Sequence, residues 1–97
     1  MDKKIVDFIK KYEISDLEIE DMLEIAPMLD VTTYDEFKTN VFLLVEYGYP
    51  LSDLDFLMLS NPNMFAESAR DLKADLEKLK QKFGDVEEPL KKGIYDI

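Results

Sequence analysis

The chain has 97 residues, 46% of them hydrophobic, with 22 acidic against 12 basic side chains and a formal net charge of −10. That length bounds it to one domain with one modest core, and so many apolar residues exclude a disordered chain. With neither cysteine nor histidine, disulfides, thiolate metal sites, thiol nucleophiles and the commonest general base are all excluded.

In chain order, Asp2 can cap a first helix running to about Tyr12, with Ile5, Val6, Phe8 and Ile9 inward. Ser15 followed by Glu18 reads as a capping box and opens a second helix. Pro27 ends it, because proline disfavours the α conformation in the residue before it. Thr33 and Glu36 repeat the box and open a third helix, which stops where Gly48 can take a left-handed C′ position. Val41 to Val45 is apolar without interruption, which predicts a central helix buried on most sides, with Phe42 and Leu44 among the most buried residues. Ser52 with Asp55 is expected to start a short fourth helix, closed by Asn61-Pro62. Ser68 with Asp71 opens a fifth that runs to Phe83 and is closed by Gly84, its Leu72, Leu76, Leu79 and Phe83 forming one inward stripe. After it, Asp85 and Glu88 can cap a turn or short helix. Ile94, Tyr95 and Ile97 then fold back as an apolar plug, or the tail frays. Met1, Met22, Met28, Met58 and Met64 read as core filler. No stretch alternates with period two for long enough to form a strand, so the fold class is all-α, with five to six helices and no sheet.

The punctuation recurs with a step of 35 residues: Tyr12 falls on Tyr47, Pro27 on Pro62 and Lys38 on Lys73. Apolar positions follow, with Met22 on Leu57, Leu29 on Met64, Phe37 on Leu72, Val41 on Leu76 and Leu44 on Leu79. A fixed period of this size marks stacked supersecondary units, none of which buries its apolar face alone. The chain therefore divides into a half-repeat (1–12), repeat one (13–48), repeat two (49–84) and a C-terminal stub (85–97), a short stack of helix pairs.

A short helix, a proline that stops it, an apolar pair and a longer leucine-patterned helix together resemble the mitochondrial transcription termination factor (mTERF) repeat. Tyr47-Gly48-Tyr49-Pro50, Leu54-x-x-Leu57-Met58, Asn61-Pro62-x-Met64-Phe65 and Leu72 to Leu79 carry the resemblance best. Ile19-x-x-Met22-Leu23, Pro27, Leu29 and Phe37 to Gly48 form a looser copy. The resemblance implies an all-α stack of helix pairs, right- or left-handed, in a family that often binds nucleic acid through a basic concave surface. Arg70, Lys73 and Lys80, at spacings that share one side of a helix, are the residues that would supply such a surface here.

Charge points elsewhere. From Glu13 to Phe37 there are nine acidic residues and no basic one, a field that repels nucleic acid and anionic membrane and favours cationic partners. The leading expectation is thus a protein-interaction module whose acidic face, Glu18, Glu20, Asp21 and Glu24, docks a basic partner. That partner belongs to nucleic-acid machinery, which the module inhibits or regulates through charge mimicry. The alternative is an mTERF-like nucleic-acid-binding module using Arg70, Lys73 and Lys80. Acidic pairs are expected to lie on the surface, with no pocket to shift a pKa. No EF-hand loop or phosphate-cradling glycine loop is present. The chain is expected to be no enzyme, to need no cofactor or metal, and to be a monomer or weak dimer. Without a signal-like or membrane-length apolar run, a soluble cytoplasmic protein is expected.

Overall fold

The computed structural model describes residues 1–95. Among them are six α-helices and no strand: α1 (Lys3–Lys10), α2 (Asp16–Ile25), α3 (Tyr34–Glu46), α4 (Leu54–Ser60), α5 (Ala69–Phe83) and α6 (Glu87–Lys91). Short 3-10 turns follow α2 (Pro27–Asp30), precede α4 (Leu51–Asp53) and follow α4 (Pro62–Phe65). Shifting α2 by 35 residues gives Leu51–Ser60, the span of the second turn plus α4. The same shift carries turn Pro27–Asp30 onto Pro62–Phe65 and the start of α3 onto the start of α5.

Local chemistry explains the boundaries. Ser15 and Thr33 each accept from the backbone N–H three residues on, while Glu18 and Glu36 accept from the cap's own N–H at 2.9 Å, two complete capping boxes. Those contacts hold the Glu36 carboxyl below its usual range, the Thr33 backbone N–H foremost. Ser68 makes only the first half, accepting from Asp71 N–H at 3.2 Å. Asp2 caps two helices at once, taking Lys4 N–H at 2.9 Å and, at the start of the adjacent α3, Tyr34 N–H at 3.1 Å. The stops before Pro27 and Pro62 match closely: Ala26 and Asn61 leave the helix at φ −127° and −146°, and each donates to the carbonyl four residues back at 2.8 Å. Gly48, at φ 108°, closes α3 as a Schellman motif, with Tyr49 N–H on Leu44 C=O at 2.9 Å and Gly48 N–H on Val45 C=O at 3.0 Å.

Asn40 in mid-α3 reaches the entry to α5, and Tyr47 at the end of α3 reaches Glu77 further along α5, so these helices run the same way. α1, α3 and α5 make one layer; α2, α4 and α6 touch in turn as the other, with the proline turns packed between. Leu44, Leu54, Leu57, Phe65, Leu72, Leu76 and Leu79 are completely buried in one continuous core. Phe37 bridges its ends, 5.5 Å from the Phe8 ring and 5.4 Å from Phe65.

Several sequence expectations need correction. Leu44 is fully buried, but Phe42 is 68% exposed and Val45 also faces out. The buried positions of α3 are Phe37, Asn40, Val41 and Leu44, a three-and-four spacing that leaves Phe42 on the opposite side. The helix is the hub by contact with α1, α5 and the Pro62 turn, but it is not enclosed. Ser52 caps nothing: the chain winds into a 3-10 turn first, α4 begins at Leu54, and the Ser52 hydroxyl meets only Asp53, at 3.5 Å. Phe83 lies in the phase of the inward stripe but at the end of α5, beyond the neighbouring helix, and is 43% exposed. Met22, Met58 and Met64 fill the core, whereas Met28 is exposed. In the stub, Asp85 accepts from Glu87 and Glu88 N–H and starts α6. Ile94 and Tyr95 pack half-buried on the core; Ile97 lies outside the described residues.

Candidate functional site

The helices of the two layers differ in charge. α1, α3 and α5 carry Lys3, Lys4, Lys10, Lys38, Arg70, Lys73, Lys78, Lys80 and Lys82, whereas α2, α4 and α6 together carry one base, Lys91. α2 itself holds Asp16, Glu18, Glu20, Asp21 and Glu24 and no base. The linear asymmetry is plain in the sequence, but this division between layers was missed there. Its signal was the alignment of Lys3, Lys38 and Lys73, which places bases at one phase of successive helices of the same layer.

The four acidic residues singled out on α2 all lie on its outer half, but only three of them border one concave surface. Glu18, Asp21 and Glu24 border an open hollow of about 470 Å³ floored by Met22, Ile25 and Leu59. Glu20 does not line it, although it is the i,i+4 neighbour of Glu24 on the outer face of the helix. Ile25 and Leu59 remain 52% and 39% exposed there, so the floor is an uncovered apolar surface between α2 and α4. Among the described residues, no cation lies in ion-pair contact with Glu18, Glu20, Asp21 or Glu24. Asp16, at the helix start, is paired with Lys10 at 2.7 Å.

The second copy keeps only two of these acids, Asp53 and Asp55, and one of them is paired. Asp53, the counterpart of Glu18, is bonded by the Lys91 ammonium at 2.7 Å, and the same ammonium takes Glu87 at 2.8 Å. These two bonds raise the Lys91 pKa and tie α6 to the start of α4. Lys91 also sits 5.8 Å from the Tyr49 ring, whose hydroxyl burial pushes up to about 12.

The basic candidates are exposed on α5 but are not a clean cationic stripe. Arg70 lies 3.8 Å from Asp71. Lys80 packs 6.0 Å from the Tyr47 ring, and the Tyr47 hydroxyl donates to Glu77 at 2.9 Å, in the middle of the stripe. Lys73 makes no ion pair among the described residues.

One acidic group departs from the expectation of surface carboxylates with no pocket to shift a pKa. Glu67, at the entry to α5, has a buried Oε1 with no hydrogen-bond donor, and burial, then Asp75 and Asp71, push its carboxyl up to about 7. Asn40, 1% exposed, donates to the Glu67 carbonyl at 2.8 Å and the Met64 carbonyl at 3.2 Å. Alignment of the two copies offers a trace of this: Glu67 falls on Thr32, whose buried hydroxyl bonds Met28 C=O. The position is inward-facing in both. No group of three or more carboxylates among the described residues could hold a metal ion. No described helix is long and apolar enough to cross a membrane.

Comparison with protein-family models, with characterised proteins and with solved structures finds no match for the chain.

Proposed function

We propose that this protein is a non-catalytic, acidic interaction module of the cytoplasm that docks a basic protein through α2. Its partner belongs to nucleic-acid machinery, which it inhibits or regulates by presenting carboxylates where a phosphate backbone would lie. The observation that carries this reading is that Glu18, Glu20, Asp21 and Glu24 stand on one helix with no cation in ion-pair contact among the described residues. Carboxylates left unneutralised at a surface steer cationic partners into encounter and speed association. The second reading, an mTERF-like module holding nucleic acid on Arg70, Lys73 and Lys80, draws support from the concentration of bases on α1, α3 and α5. Glu77 and Asp71 among those bases, and the net charge of −10, weigh against it.

The test combines Glu18→Gln, Glu20→Gln, Asp21→Asn and Glu24→Gln. The change at Glu18 keeps the capping box, which accepts glutamate or glutamine at that position. Association with a basic partner recovered from the source cell should slow by about tenfold or more at low salt, and the gap should close as salt screens the field. Binding to duplex DNA or RNA is expected to be no tighter than about 10⁻⁵ M near physiological salt, at the weak end of non-specific binding. Submicromolar nucleic-acid binding weakened by Arg70→Ala or Lys73→Ala would replace this reading with the second.

A further inference from the structure

We infer that the hollow between α2 and α4 is a groove for one amphipathic cationic helix, seated with an apolar side chain on Ile25 and Leu59 and flanked by lysines or arginines on Glu18, Asp21 and Glu24. The inference rests on the acidic-face reading above and adds the partner's secondary structure and its anchor. Three observations lead to it. The floor is apolar and uncovered, with Ile25 52% and Leu59 39% exposed at the seam between two packed helices. A single exposed aliphatic residue is ordinary; two on adjacent helices converging over the buried Met22 in one hollow of about 470 Å³ make a seat. The rim is of one sign, so a ligand filling the seat must carry positive charge beside its apolar anchor. Simple polycations satisfy the rim but leave the floor wet, and neutral apolar peptides cover the floor but desolvate the carboxylates without pairing them.

The walls decide the conformation of the ligand. Both are helices, whose mid-helix N–H and C=O groups are already bonded within each helix, and no strand edge exists among the described residues. An extended peptide laid on this floor would find at most the last-turn carbonyls of α2 and α4, and none of the alternating donors and acceptors of a strand edge. A helix satisfies its backbone internally and offers side chains at three-and-four spacing, matching the repeat of Glu18, Asp21 and Ile25 along α2. The equivalent place on the other side of α4 offers no such rim, since Asp53 there is held by Lys91.

The experiment titrates the full chain with three synthetic probes: an amphipathic Lys/Leu helix, a scrambled peptide of the same composition that cannot form an apolar face, and oligolysine. Fluorescence anisotropy should give at least about tenfold tighter binding of the amphipathic helix than of the scrambled peptide. Ile25→Ser and Leu59→Ser, both at partly exposed positions, should remove that preference and leave oligolysine binding unchanged. Phe42→Ser, an exposed apolar change on the far layer, should leave it intact. Equal binding of the two Lys/Leu peptides, or a preference insensitive to Ile25→Ser and Leu59→Ser, would overturn the groove while leaving the acidic-face reading standing. Failure of oligolysine and both peptides to bind, at low salt and with the variants folded by circular dichroism, would remove the acidic-face reading and the groove together.

Discussion

The segment from α2 to α3 and the segment from α4 to α5 build the same thing twice and show solvent different faces. Both begin with a short helical span, break at a proline, wind through a 3-10 turn and enter a longer helix at a hydroxyl N-cap, Thr33 or Ser68. Inward positions agree: Leu29 with Met64, Phe37 with Leu72, Leu44 with Leu79, all buried. Outward positions do not. Where α2 carries Glu18, Asp21, Glu24 and Ile25, the second copy carries Asp53, Phe56, Leu59 and Ser60. The difference teaches where constraint ends in a stacked fold: capping, the helix stop and the inward stripe answer to the neighbouring unit, and the outer face answers to whatever binds it.

The largest effect expected from perturbing this comparison is in the core. Leu44→Ala and Leu79→Ala occupy equivalent, fully buried positions and should each destabilise by about 2–5 kcal/mol in urea unfolding, as core truncations do. Phe42→Ala, on the exposed side of α3, should stay within about 0.5 kcal/mol. A cost below about half a kcal/mol at Leu79 with a large one at Leu44 would break the equivalence of the copies.

Next comes the inward polar position that the copies treat differently. Glu67 titrates near 7 when folded, against an ordinary 4.5. Through this group the folded chain therefore binds more protons than the unfolded one between those values, so the Glu67 contribution to stability is greatest below about 4.5, falls as pH rises through the window, and levels off above about 7. Because the carboxyl is only partly buried, the full shift is screened, and the loss attributable to Glu67 should be about 1 kcal/mol. Glu67→Gln should remove this portion of the slope and leave the variant more stable than the parent at pH 8. The check is a pair of urea titrations at pH 5 and pH 8; identical slopes for parent and variant would contradict it.

The smallest effect is at the helix exits. Glu13 sits at φ 61°, and its counterpart is Gly48 at φ 108°. A side chain in the left-handed region is strained, so Glu13→Gly should stabilise by about 0.5–1 kcal/mol after the added freedom of the unfolded glycine is subtracted. A Cβ at Gly48 would meet no atom within 4 Å, so Gly48→Ala should cost about 1 kcal/mol from backbone strain alone. Thermal melts of the two variants moving in the same direction would contradict the shared left-handed residue at the two exits.

Much of this scaffold was legible in the sequence because its signals are local. Ser15 with Glu18, Thr33 with Glu36 and the two prolines act on backbone groups within four residues of themselves, and the 35-residue register then fixes how the units follow one another. What escaped depends on neighbours. The apolar run Val41–Val45 carries no information about which side of α3 has a partner, and only the stacking of α1 and α5 leaves Phe42 outside. Ser52 followed by Asp55 has the spacing of a cap, yet the turn at Leu51–Asp53 takes the chain into α4 by another route. For the candidate site, the excess of acid on α2 was readable. Its split into three residues at the hollow and Glu20 beyond it, the floor supplied by Leu59, and the neutralisation of Asp53 by Lys91 all required the tertiary structure.

The most direct test of the central claim, that α2 and not its copy is the docking face, is an amide-resolved NMR titration of the full chain with oligolysine at low salt. Shift changes should centre on the amides of Glu18, Asp21 and Glu24, with Asp53 and Asp55 little moved and the α2 response fading as salt is raised. Changes centred on Asp53 and Asp55, or spread evenly over every carboxylate of the chain, would contradict it.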